Sequence, residues 1–327
     1  MKVLVAIFSA ADTWTIPARH VDALRRRFPG VTFAHAEDDE TMRREAADAD
    51  VAFSSLVRGD VLAGAPRLAW IHSSAAGVGS LLSPELKRGG VVLTNSRGVH
   101  ADFIAEHVVA VTLALFRKLH LAVRRQLEGR WAQAELNAAP PPRLLRGATA
   151  GVVGLGAIGA AVARAMTGLG ADVRAIRRRP GLAPPPGVSR AGGPDELPDL
   201  LAGADVVVLA APLTGETRGL IGRHELALMK AGAVLVNVSR GKLVREDELA
   251  DALTRGVIAG AALDVFEHEP LDPGSPLWRL PNTLITPHTS GFRPDYWDVV
   301  TDLFAENLQR YRRGEPLVNV VDPEAGY

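Results

Sequence analysis

The segment Ala148-Thr-Ala-Gly-Val-Val-Gly154-Leu-Gly156-Ala-Ile-Gly159-Ala-Ala-Val-Ala-Arg-Ala-Met166 joins a short apolar run to a helical pattern through three closely spaced glycines. This order of strand, glycine loop and helix is the context that a dinucleotide-binding loop requires. Gly154 would allow the tight turn, Gly156 the close approach of a pyrophosphate, and Gly159 the packing of helix on strand. The start of the helix would add amide donors and a partial positive charge. A glycine-rich turn without a ligand is the alternative.

Outward from this segment, short apolar runs alternate with helical patterns in both directions along the chain. Alternation of this kind implies parallel sheets with helices on both faces. We therefore predict an α/β fold with two doubly wound parallel-sheet domains. The predicted strands are 3–8, 31–35, 51–54, 68–71, 91–94, 148–153, 172–176, 206–210, 234–238, 258–263 and 283–285, and the predicted helices include 17–28, 41–47, 103–116, 160–166 and 294–313.

The last predicted helix, 294–313, follows the last strand of the second set. Its apolar residues recur at helical spacing, and we predict that it crosses back to the first domain. The first domain is then discontinuous and comprises residues 1–97 and 292–327. Residues 98–291 form the dinucleotide-binding domain.

The composition limits the partners and the compartment. The 327 residues include 37 basic and 37 acidic side chains, so no excess charge attracts nucleic acid or a membrane surface. The chain has no cysteine, which excludes a disulfide framework, a thiolate zinc site and a cysteine nucleophile, and fits a cytoplasmic protein. The histidines do not fall in a metal-ligand spacing, and we predict no metal site.

The segment Met1–Ala11 superficially resembles a signal peptide, with one basic residue, a short apolar run and small residues. We predict instead a buried first strand, because the run is short and Lys2 is its only basic residue. No other apolar stretch reaches the roughly 18–20 residues that a membrane helix needs. We therefore predict a soluble protein.

The end of the second strand in the dinucleotide-binding domain indicates which cofactor binds. A site for NAD places an Asp or Glu about 20 residues after the glycine loop, where it binds the ribose 2′-hydroxyl. This chain has Val173-Arg-Ala-Ile-Arg177-Arg178-Arg179 there, without an acid. A guanidinium can bind a 2′-phosphate, which a carboxylate would repel. We predict NADP(H), contacted by Arg177 and Arg178. NAD is the alternative, in which the arginines are a solvated turn.

Three segments further along the chain supply one arginine, one carboxylate and one imidazole: Asn237-Val-Ser-Arg240-Gly, Asp264-Val-Phe-Glu-His-Glu269-Pro and Thr286-Pro-His288-Thr-Ser-Gly291. In this order behind a dinucleotide loop, they resemble the D-isomer-specific 2-hydroxyacid dehydrogenase family, in particular its NADP-preferring glyoxylate/hydroxypyruvate reductases. The resemblance covers most of the chain and is tightest from Leu145 to Gly291. It implies a Rossmann coenzyme domain inserted in a flavodoxin-like substrate domain.

The resemblance also implies an activity, the NADPH-dependent reduction of a small 2-oxoacid such as glyoxylate or hydroxypyruvate to the D-2-hydroxyacid. His288 would donate and accept the proton. Glu269 would favour the imidazolium form of His288 and fix its orientation. Arg240 would bridge the carboxylate and the keto oxygen of the substrate with its planar, charged fork.

Further residues are implied to bind substrate and cofactor. Backbone amides of a loop in the first domain would bind the substrate carboxylate, with an ordinary strand-to-helix turn as the alternative. The residues of this loop are Ala76, Gly77 and Val78. The residues implied to contact the cofactor are Gly154, Leu155, Gly156, Ala157, Ile158, Gly159, Arg177, Arg178, Ala211, Pro212, Thr217, Val238, Ser239 and Asp264. By analogy we also expect a homodimer, formed through the helix from Phe103 and the region 115–131.

Each reacting residue also has a purely structural interpretation. Arg240 could form an ion pair with Asp247 or Glu248. Glu267, instead of Glu269, could be the partner of His288. His288 itself could be a hydrogen-bonded histidine at the end of a strand.

Two other functions fit the same architecture. A dinucleotide-sensing binding protein, as in the related corepressors, can retain the same three residues, although the sequence suggests no partner groove or appended tail. Oxidation of a small anion is the second possibility. A formate enzyme would be expected to carry glutamine where Glu269 stands, which argues against formate, whereas phosphite stays open.

The residues after His288 depart from the common family pattern and read Thr-Ser-Gly-Phe-Arg-Pro-Asp-Tyr-Trp. They are bulkier and more aromatic than is usual in the family. Phe292, Tyr296 or Trp297 would either shape the substrate pocket or pack the last helix. The identity of the substrate therefore stays open.

Overall fold

The computed structural model describes residues 1–9, 14–138, 140–324 and 326. The chain forms two compact units, which we call the first unit (Met1–Val99 with Arg293–Tyr327) and the second unit (His100–Phe292). Among the described residues, no helix combines the length and the apolar character that crossing a bilayer requires.

A parallel sheet of five strands, all within the described residues, forms the centre of the first unit. The strands are β1 (Lys2–Ala6), β2 (Thr32–Ala36), β3 (Val51–Ser54), β4 (Trp70–Ser73) and β5 (Val92–Asn95). Their order is β2-β1-β3-β4-β5, which is the flavodoxin-like order. β1 pairs with both β2 and β3 and is the buried first strand that we predicted, while Ala10 and Ala11 lie outside the described residues.

Helices pack with this sheet and bring the C-terminal segment into the first unit. Within the described residues they are α1 (Ala18–Arg27), α2 (Asp39–Ala46), α3 (Gly59–Ala63), α4 (Pro84–Lys87) and α12 (Tyr296–Arg313). The ring of Phe304 in α12 stacks on Phe53 and Trp70, with centroid distances of 4.4 and 5.4 Å. Aromatic side chains bury large apolar areas, so this contact fixes α12 on the sheet.

A parallel sheet of seven strands within the described residues forms the centre of the second unit. The strands are β6 (Thr149–Val153), β7 (Asp172–Ile176), β8 (Arg190–Gly192), β9 (Val206–Leu209), β10 (Val234–Asn237), β11 (Gly260–Leu263) and β12 (Thr283–Ile285). They follow the order β12-β11-β10-β9-β6-β7-β8. The run from β8 to β11 is the 3-2-1-4-5-6 order of dinucleotide-binding folds. The predicted fold class, two α/β domains with parallel sheets, is confirmed.

The helices of the second unit place a long apolar helix beside the helix that follows the glycine loop. Within the described residues they are α5 (Ala101–Phe116), α6 (Leu119–Leu127), α7 (Gln133–Asn137), α8 (Ala157–Gly168), α9 (Leu197–Gly203), α10 (Arg223–Leu228) and α11 (Glu246–Thr254). Val108 of α5 and Val162 of α8 are fully buried in one apolar cluster with β6 and β10. This packing holds the start of α8 at the edge of the sheet.

Candidate active site

The candidate site lies at the carboxyl edge of the sheet in the second unit. β6 leads into the glycine loop, β10 into Arg240, β11 into Asp264 and β12 into His288. The strand order reverses between β6 and β9, and ligands of doubly wound folds bind at such a switch point. The topology therefore gathers segments that are far apart in the sequence.

The glycine loop fits the pyrophosphate of a dinucleotide. Gly154 has a φ of +99°, and a Cβ on it would lie 2.5 Å from the backbone nitrogen of Ala211. A Cβ on Gly159 would lie 2.0 Å from the carbonyl oxygen of Gly154, whereas a Cβ on Gly156 would meet no described atom within 4 Å. α8 begins after Gly156 with neither a side-chain cap nor an acid in its first turn, so its first amides are left for an anion. The loop and the first turn also contain Leu155, Ala157 and Ile158.

The arginines that follow β7 have different surroundings. The guanidinium of Arg177 donates to the carbonyl of Pro180 at 3.1 Å and to that of Ala183 at 3.3 Å. It therefore braces the proline-rich loop that follows. Arg178 and Arg179 are exposed.

The residues expected along the nicotinamide half of the cofactor follow β9 and β10. The hydroxyl of Ser239 donates to the carbonyl of Ala211, which ties the two loops together. The hydroxyl of Thr217 donates to the carbonyl of Pro212 at 2.6 Å. Val238 is buried below this surface. Two neighbouring loops are thus held in one arrangement at the switch point.

Asn237, the last residue of β10, holds the backbone of the loop that carries Arg240. Its side-chain amide donates to the carbonyl of Arg240 at 3.1 Å, and its Oδ1 accepts from the amide of Ser239 at 3.1 Å. Arg240 is exposed, and its Nη1 donates to the carbonyl of Ser239 at 2.6 Å. Glu248, one of the two acids considered as a partner for Arg240, accepts instead from the amide of Arg223.

The segment before Glu269 is braced by two neighbours. A Cβ on Gly241 would lie 1.8 Å from the carbonyl carbon of Phe266, so glycine is needed for this close approach of two backbones. The amide of Glu267 donates to the carboxylate of Glu246. Burial raises the pKa of Glu246, the hydrogen bond from Glu267 opposes this, and the negative charge of Glu267 adds to it. These contacts connect the loops that follow β10 and β11.

Glu269 and His288 form a hydrogen-bonded pair. Nδ1 of His288 lies 2.7 Å from Oε2 of Glu269, and Oε1 of Glu269 accepts from the amide of Phe266 at 3.0 Å. Because Nδ1 is engaged, Nε2 is the ring nitrogen left to exchange a proton. The His288 side chain is 51% exposed. Glu267, the other glutamate considered, does not take this position, because its segment is held at Glu246.

Asp264 organises the loop that carries His288. Its buried carboxylate accepts from the Thr286 hydroxyl at 2.6 Å and from the amides of Thr289 and Ser290 at 2.8 and 3.1 Å. Its carbonyl accepts from the amide of His288 at 2.9 Å. His288 has a φ of 54°, a left-handed conformation that is uncommon for histidine and that these contacts sustain. The contact of Asp264 with a carboxamide stays a prediction.

The predicted substrate loop lies in the first unit, directly after β4. Of its residues, Gly77 is exposed and Val78 is buried. The carbonyl of Ala76 accepts from the side-chain amide of Asn95 at 2.7 Å. This loop and the segments that carry the three predicted catalytic residues belong to different compact units.

Three residues at the site were not foreseen as part of it: Asn237, Glu246 and His107. Nε2 of His107, on α5, lies 3.4 Å from the hydroxyl of Thr286. Burial lowers the pKa of His107, and the charge of Asp264 opposes this. A polar residue that ends an apolar strand was the signal for Asn237. The sequence carries no comparable signal for Glu246. The pair Glu106-His107 resembles a recurrent helix pair of the family, and from the sequence alone it is interpreted as structural.

The fold and the site define a dinucleotide-dependent oxidoreductase. The family model described as the NAD-binding domain of D-isomer-specific 2-hydroxyacid dehydrogenases matches residues 109–290. The chain belongs to the D-isomer-specific 2-hydroxyacid dehydrogenase family, which confirms the predicted resemblance.

Several named proteins and solved structures are similar to this chain. The glyoxylate reductase of Korarchaeum cryptofilum is 36% identical over 270 residues, which cover 81% of this chain and 79% of that protein. A D-isomer-specific 2-hydroxyacid dehydrogenase from Xanthobacter autotrophicus, in complex with NADPH and MES, is 35% identical, with a TM-score of 0.83 and 99% of each chain covered. An NADPH-dependent glyoxylate/hydroxypyruvate reductase from Sinorhizobium meliloti, in complex with NADP and sulfate, is 26% identical, with a TM-score of 0.84 and 100% of each chain covered.

Proposed function

We propose that this protein reduces a small 2-oxoacid to the D-2-hydroxyacid with NADPH, and that glyoxylate and hydroxypyruvate are the first candidates. The observation that carries the proposal is the 2.7 Å hydrogen bond between Glu269 and Nδ1 of His288, at the same sheet edge as the glycine loop. The names of the similar glyoxylate and hydroxypyruvate reductases support the substrate class.

The proposed roles follow from the charge that develops during reduction. Bound NADPH supplies a hydride to the carbonyl carbon, so negative charge grows on the carbonyl oxygen. His288 donates the proton from Nε2 to that oxygen, and its neutral imidazole takes the proton back in the oxidative direction. Glu269 holds the ring in the orientation that leaves Nε2 available.

The substrate anion is proposed to bind two kinds of donor. Arg240 has a planar, permanently charged guanidinium that can bridge a carboxylate and a keto oxygen. The backbone amides of Ala76, Gly77 and Val78 are proposed to bind the carboxylate as well. The residues proposed to contact the nicotinamide half of the cofactor are Ala211, Pro212, Thr217, Val238, Ser239 and Asp264.

The proposal is tested by following the absorbance of the reduced nicotinamide. The purified protein is mixed with NADPH or NADH and with glyoxylate, hydroxypyruvate, pyruvate or branched 2-oxoacids in turn. We expect turnover of at least one 2-oxoacid with NADPH. If none of these 2-oxoacids were reduced, the proposal would be contradicted and a dinucleotide-sensing protein would be favoured.

We also propose that NADPH is preferred over NADH, with Arg177 and Arg178 close to the 2′-phosphate. Replacing Arg177 would also disturb the proline-rich loop, because its guanidinium binds two carbonyls of that loop, and Arg178 is therefore the residue chosen for the test. Replacing Arg178 by aspartate is expected to raise the KM for NADPH by about 10- to 100-fold, because a charge-assisted hydrogen bond is lost and the new carboxylate repels the phosphate. Steady-state kinetics with both cofactors measure the change.

The matched control for this test is Arg164→Asp. Arg164 is an exposed arginine of α8 whose guanidinium lies 3.5 Å from the Asp102 carboxylate. The same charge change there is expected to leave the ratio of NADPH to NADH efficiency unaltered. An unaltered ratio in Arg178→Asp would count against the assignment of Arg178.

A second copy of the chain is proposed to cover α6. This helix has no buried residue, and its three most exposed apolar side chains, Leu119, Val123 and Leu127, are spaced four residues apart. Leu119, Val123 and Leu127 are 52%, 53% and 84% exposed, and Trp131 beyond the helix is 91% exposed. An apolar stripe of this kind is typical of an interface between subunits.

Replacing Leu127 by glutamate is expected to raise the dissociation constant of the dimer by about 10- to 100-fold, because burial of a leucine side chain is lost and a charge is introduced. Light scattering after size-exclusion chromatography measures the mass. Leu182→Glu makes the same change at a leucine that is 63% exposed in the proline-rich loop, and serves as the control. A monomeric wild-type protein, or a Leu127→Glu dimer as stable as the wild type, would contradict the proposal.

A further inference from the structure

The loop after β4 turns its carbonyl groups toward the body of the first unit. The hydroxyl of Ser96 donates to the carbonyl of Ser73 at 2.9 Å, and the amide of Ser96 donates to the carbonyl of Ala75 at 3.3 Å. The side chain of Asn95 donates to the carbonyl of Ala76 at 2.7 Å. Asn95 at the end of β5 and Ser96 directly after it therefore supply donors to the carbonyl of the last residue of β4 and to two carbonyls of the loop.

Tyr296 supplies the donor to the carbonyl of Ser74, which lies between the carbonyls of Ser73 and Ala75. Its hydroxyl donates to the carbonyl of Ser74 at 2.8 Å, across 222 residues of sequence. The side chain is 9% exposed, and its ring packs edge-on against Trp14 and Trp297 at centroid distances of 5.9 and 4.8 Å. Burial raises the pKa of Tyr296 to about 12, and the bond to Ser74 opposes the shift, so the hydroxyl stays a donor at neutral pH.

Three consecutive amide groups of the same loop differ from these carbonyls in their hydrogen bonding. Within the described residues, no atom accepts a hydrogen bond from the amide of Ala76, Gly77 or Val78. Consecutive amides without partners, on a backbone whose carbonyls from Ser73 to Ala76 are engaged, form a site for an anion. Each peptide group is a rigid plane that joins one carbonyl to the amide of the next residue, so the bonds to the carbonyls of Ala75 and Ala76 orient the amides of Ala76 and Gly77. The Ser74 carbonyl, which Tyr296 holds, lies in the preceding plane together with the amide of Ala75.

We propose that Tyr296 is a positioning residue for the substrate carboxylate, because its bond to Ser74 anchors the peptide that leads directly into the amides of Ala76, Gly77 and Val78. The proposal rests on the proposed function and adds a residue to it. It also explains the aromatic sequence after His288, since Tyr296 both packs at the start of α12 and holds the loop. Removing the hydroxyl leaves the Ser74 carbonyl without this donor, so the Ser74–Ala75 peptide is held only through the amide of Ala75, which donates to Oγ of Ser73 at 3.2 Å. The backbone that leads into the three amides is then less firmly fixed.

The test compares Tyr296→Phe with Tyr311→Phe. Tyr311 lies on the same helix and stacks on Trp70 at 5.3 Å, but within the described residues its hydroxyl has no hydrogen-bond partner. Steady-state kinetics with hydroxypyruvate and NADPH give KM and kcat, and thermal unfolding gives Tm. Isothermal titration of oxalate into the protein with NADP⁺ present gives the Kd of a carboxylate probe without turnover.

Tyr296→Phe is expected to raise the KM for hydroxypyruvate and the Kd for oxalate by the same factor, about five- to tenfold, through loss of one hydrogen bond to a buried carbonyl. The kcat, the KM for NADPH and the Tm are expected to stay close to the wild-type values, and Tyr311→Phe to leave all of them unchanged. An unchanged oxalate Kd, an equal rise in the KM for NADPH, or no oxalate binding by the wild type would overturn the proposal. Tyr296-dependent oxalate binding without any turnover would support it while contradicting the proposed function.

Discussion

Replacing His288 by asparagine is expected to lower kcat/KM for 2-oxoacid reduction by roughly 100- to 10,000-fold, the range for loss of a general acid. Asparagine is chosen because His288 has a φ of 54°, a conformation that asparagine tolerates. The loop held by Asp264 is therefore expected to keep its shape. The KM for NADPH is expected to change little, because His288 acts on the carbonyl oxygen and does not bind the dinucleotide.

The pH dependence distinguishes a proton donor from a residue that only shapes the site. Reduction needs the protonated imidazole, so the rate of the wild type is expected to fall as pH rises. Oxidation of the 2-hydroxyacid needs the neutral imidazole, so the rate of oxidation is expected to rise as pH rises. His288→Asn is expected to lose both dependences, and a variant that keeps them would show that another group carries the proton.

His224→Asn is the matched control for this replacement. His224 is an exposed histidine whose Nδ1 lies 3.1 Å from Glu225, so it also has an acidic partner. It lies on α10 and has no proposed part in the reaction. We expect its kinetics to equal those of the wild type, and a comparable loss of activity there would mean that the effect of His288→Asn is not specific.

Replacing Arg240 by lysine is expected to lower kcat/KM for the 2-oxoacid by about 100-fold, as when one preorganised donor to the developing oxyanion is removed. The charge is kept, so the loss would come from the planar fork that bridges two oxygens. Asn237 holds the loop through the backbone carbonyl of Arg240, which any residue can supply. The fold is therefore expected to be retained, as circular dichroism and Tm would show.

Arg245→Lys makes the same change a few residues further along the chain. Its guanidinium lies beside Gly219 and Gly222, apart from the proposed substrate contacts. We expect this variant to keep the wild-type kcat/KM. If Arg240→Lys also kept it, the substrate-binding role of Arg240 would be wrong.

The second unit could be predicted from the sequence over most of its length, because local patterns determine it. The apolar run to Val153, the glycine loop and the alanine-rich helix are contiguous, and their order is specific to dinucleotide-binding loops. β8, Arg190–Gly192, was missed because it has three residues without an apolar run and pairs with β7 at the edge of the sheet. Short edge strands of this kind leave no periodic signal.

The pairing of Glu269 with His288 could be anticipated because both follow adjacent parallel strands, whose carboxyl ends meet at one edge. The contacts that support this pair could not be anticipated from the sequence. Glu246 reaches the amide of Glu267 from another helix, and Asp264 uses both carboxylate oxygens on the His288 loop. Such contacts depend on side-chain directions that residue types and spacing do not specify.

The bond from Tyr296 to Ser74 was equally hidden, because it joins positions 222 residues apart. The sequence showed that aromatic residues follow His288, and left open whether they shape the pocket or pack a helix. In the structure the Tyr296 ring is buried and its hydroxyl donates to the carbonyl of Ser74. Tyr296 therefore packs the start of the last helix. Its effect on the substrate is the part that requires an experiment.

The product formed from hydroxypyruvate and NADPH tests the central claim most directly. We expect D-glycerate, equimolar with the NADPH consumed and resolved by chiral chromatography, from the wild type and almost none from His288→Asn. L-glycerate, no glycerate, or equal yields from the two proteins would contradict the assignment of this site to D-2-hydroxyacid chemistry.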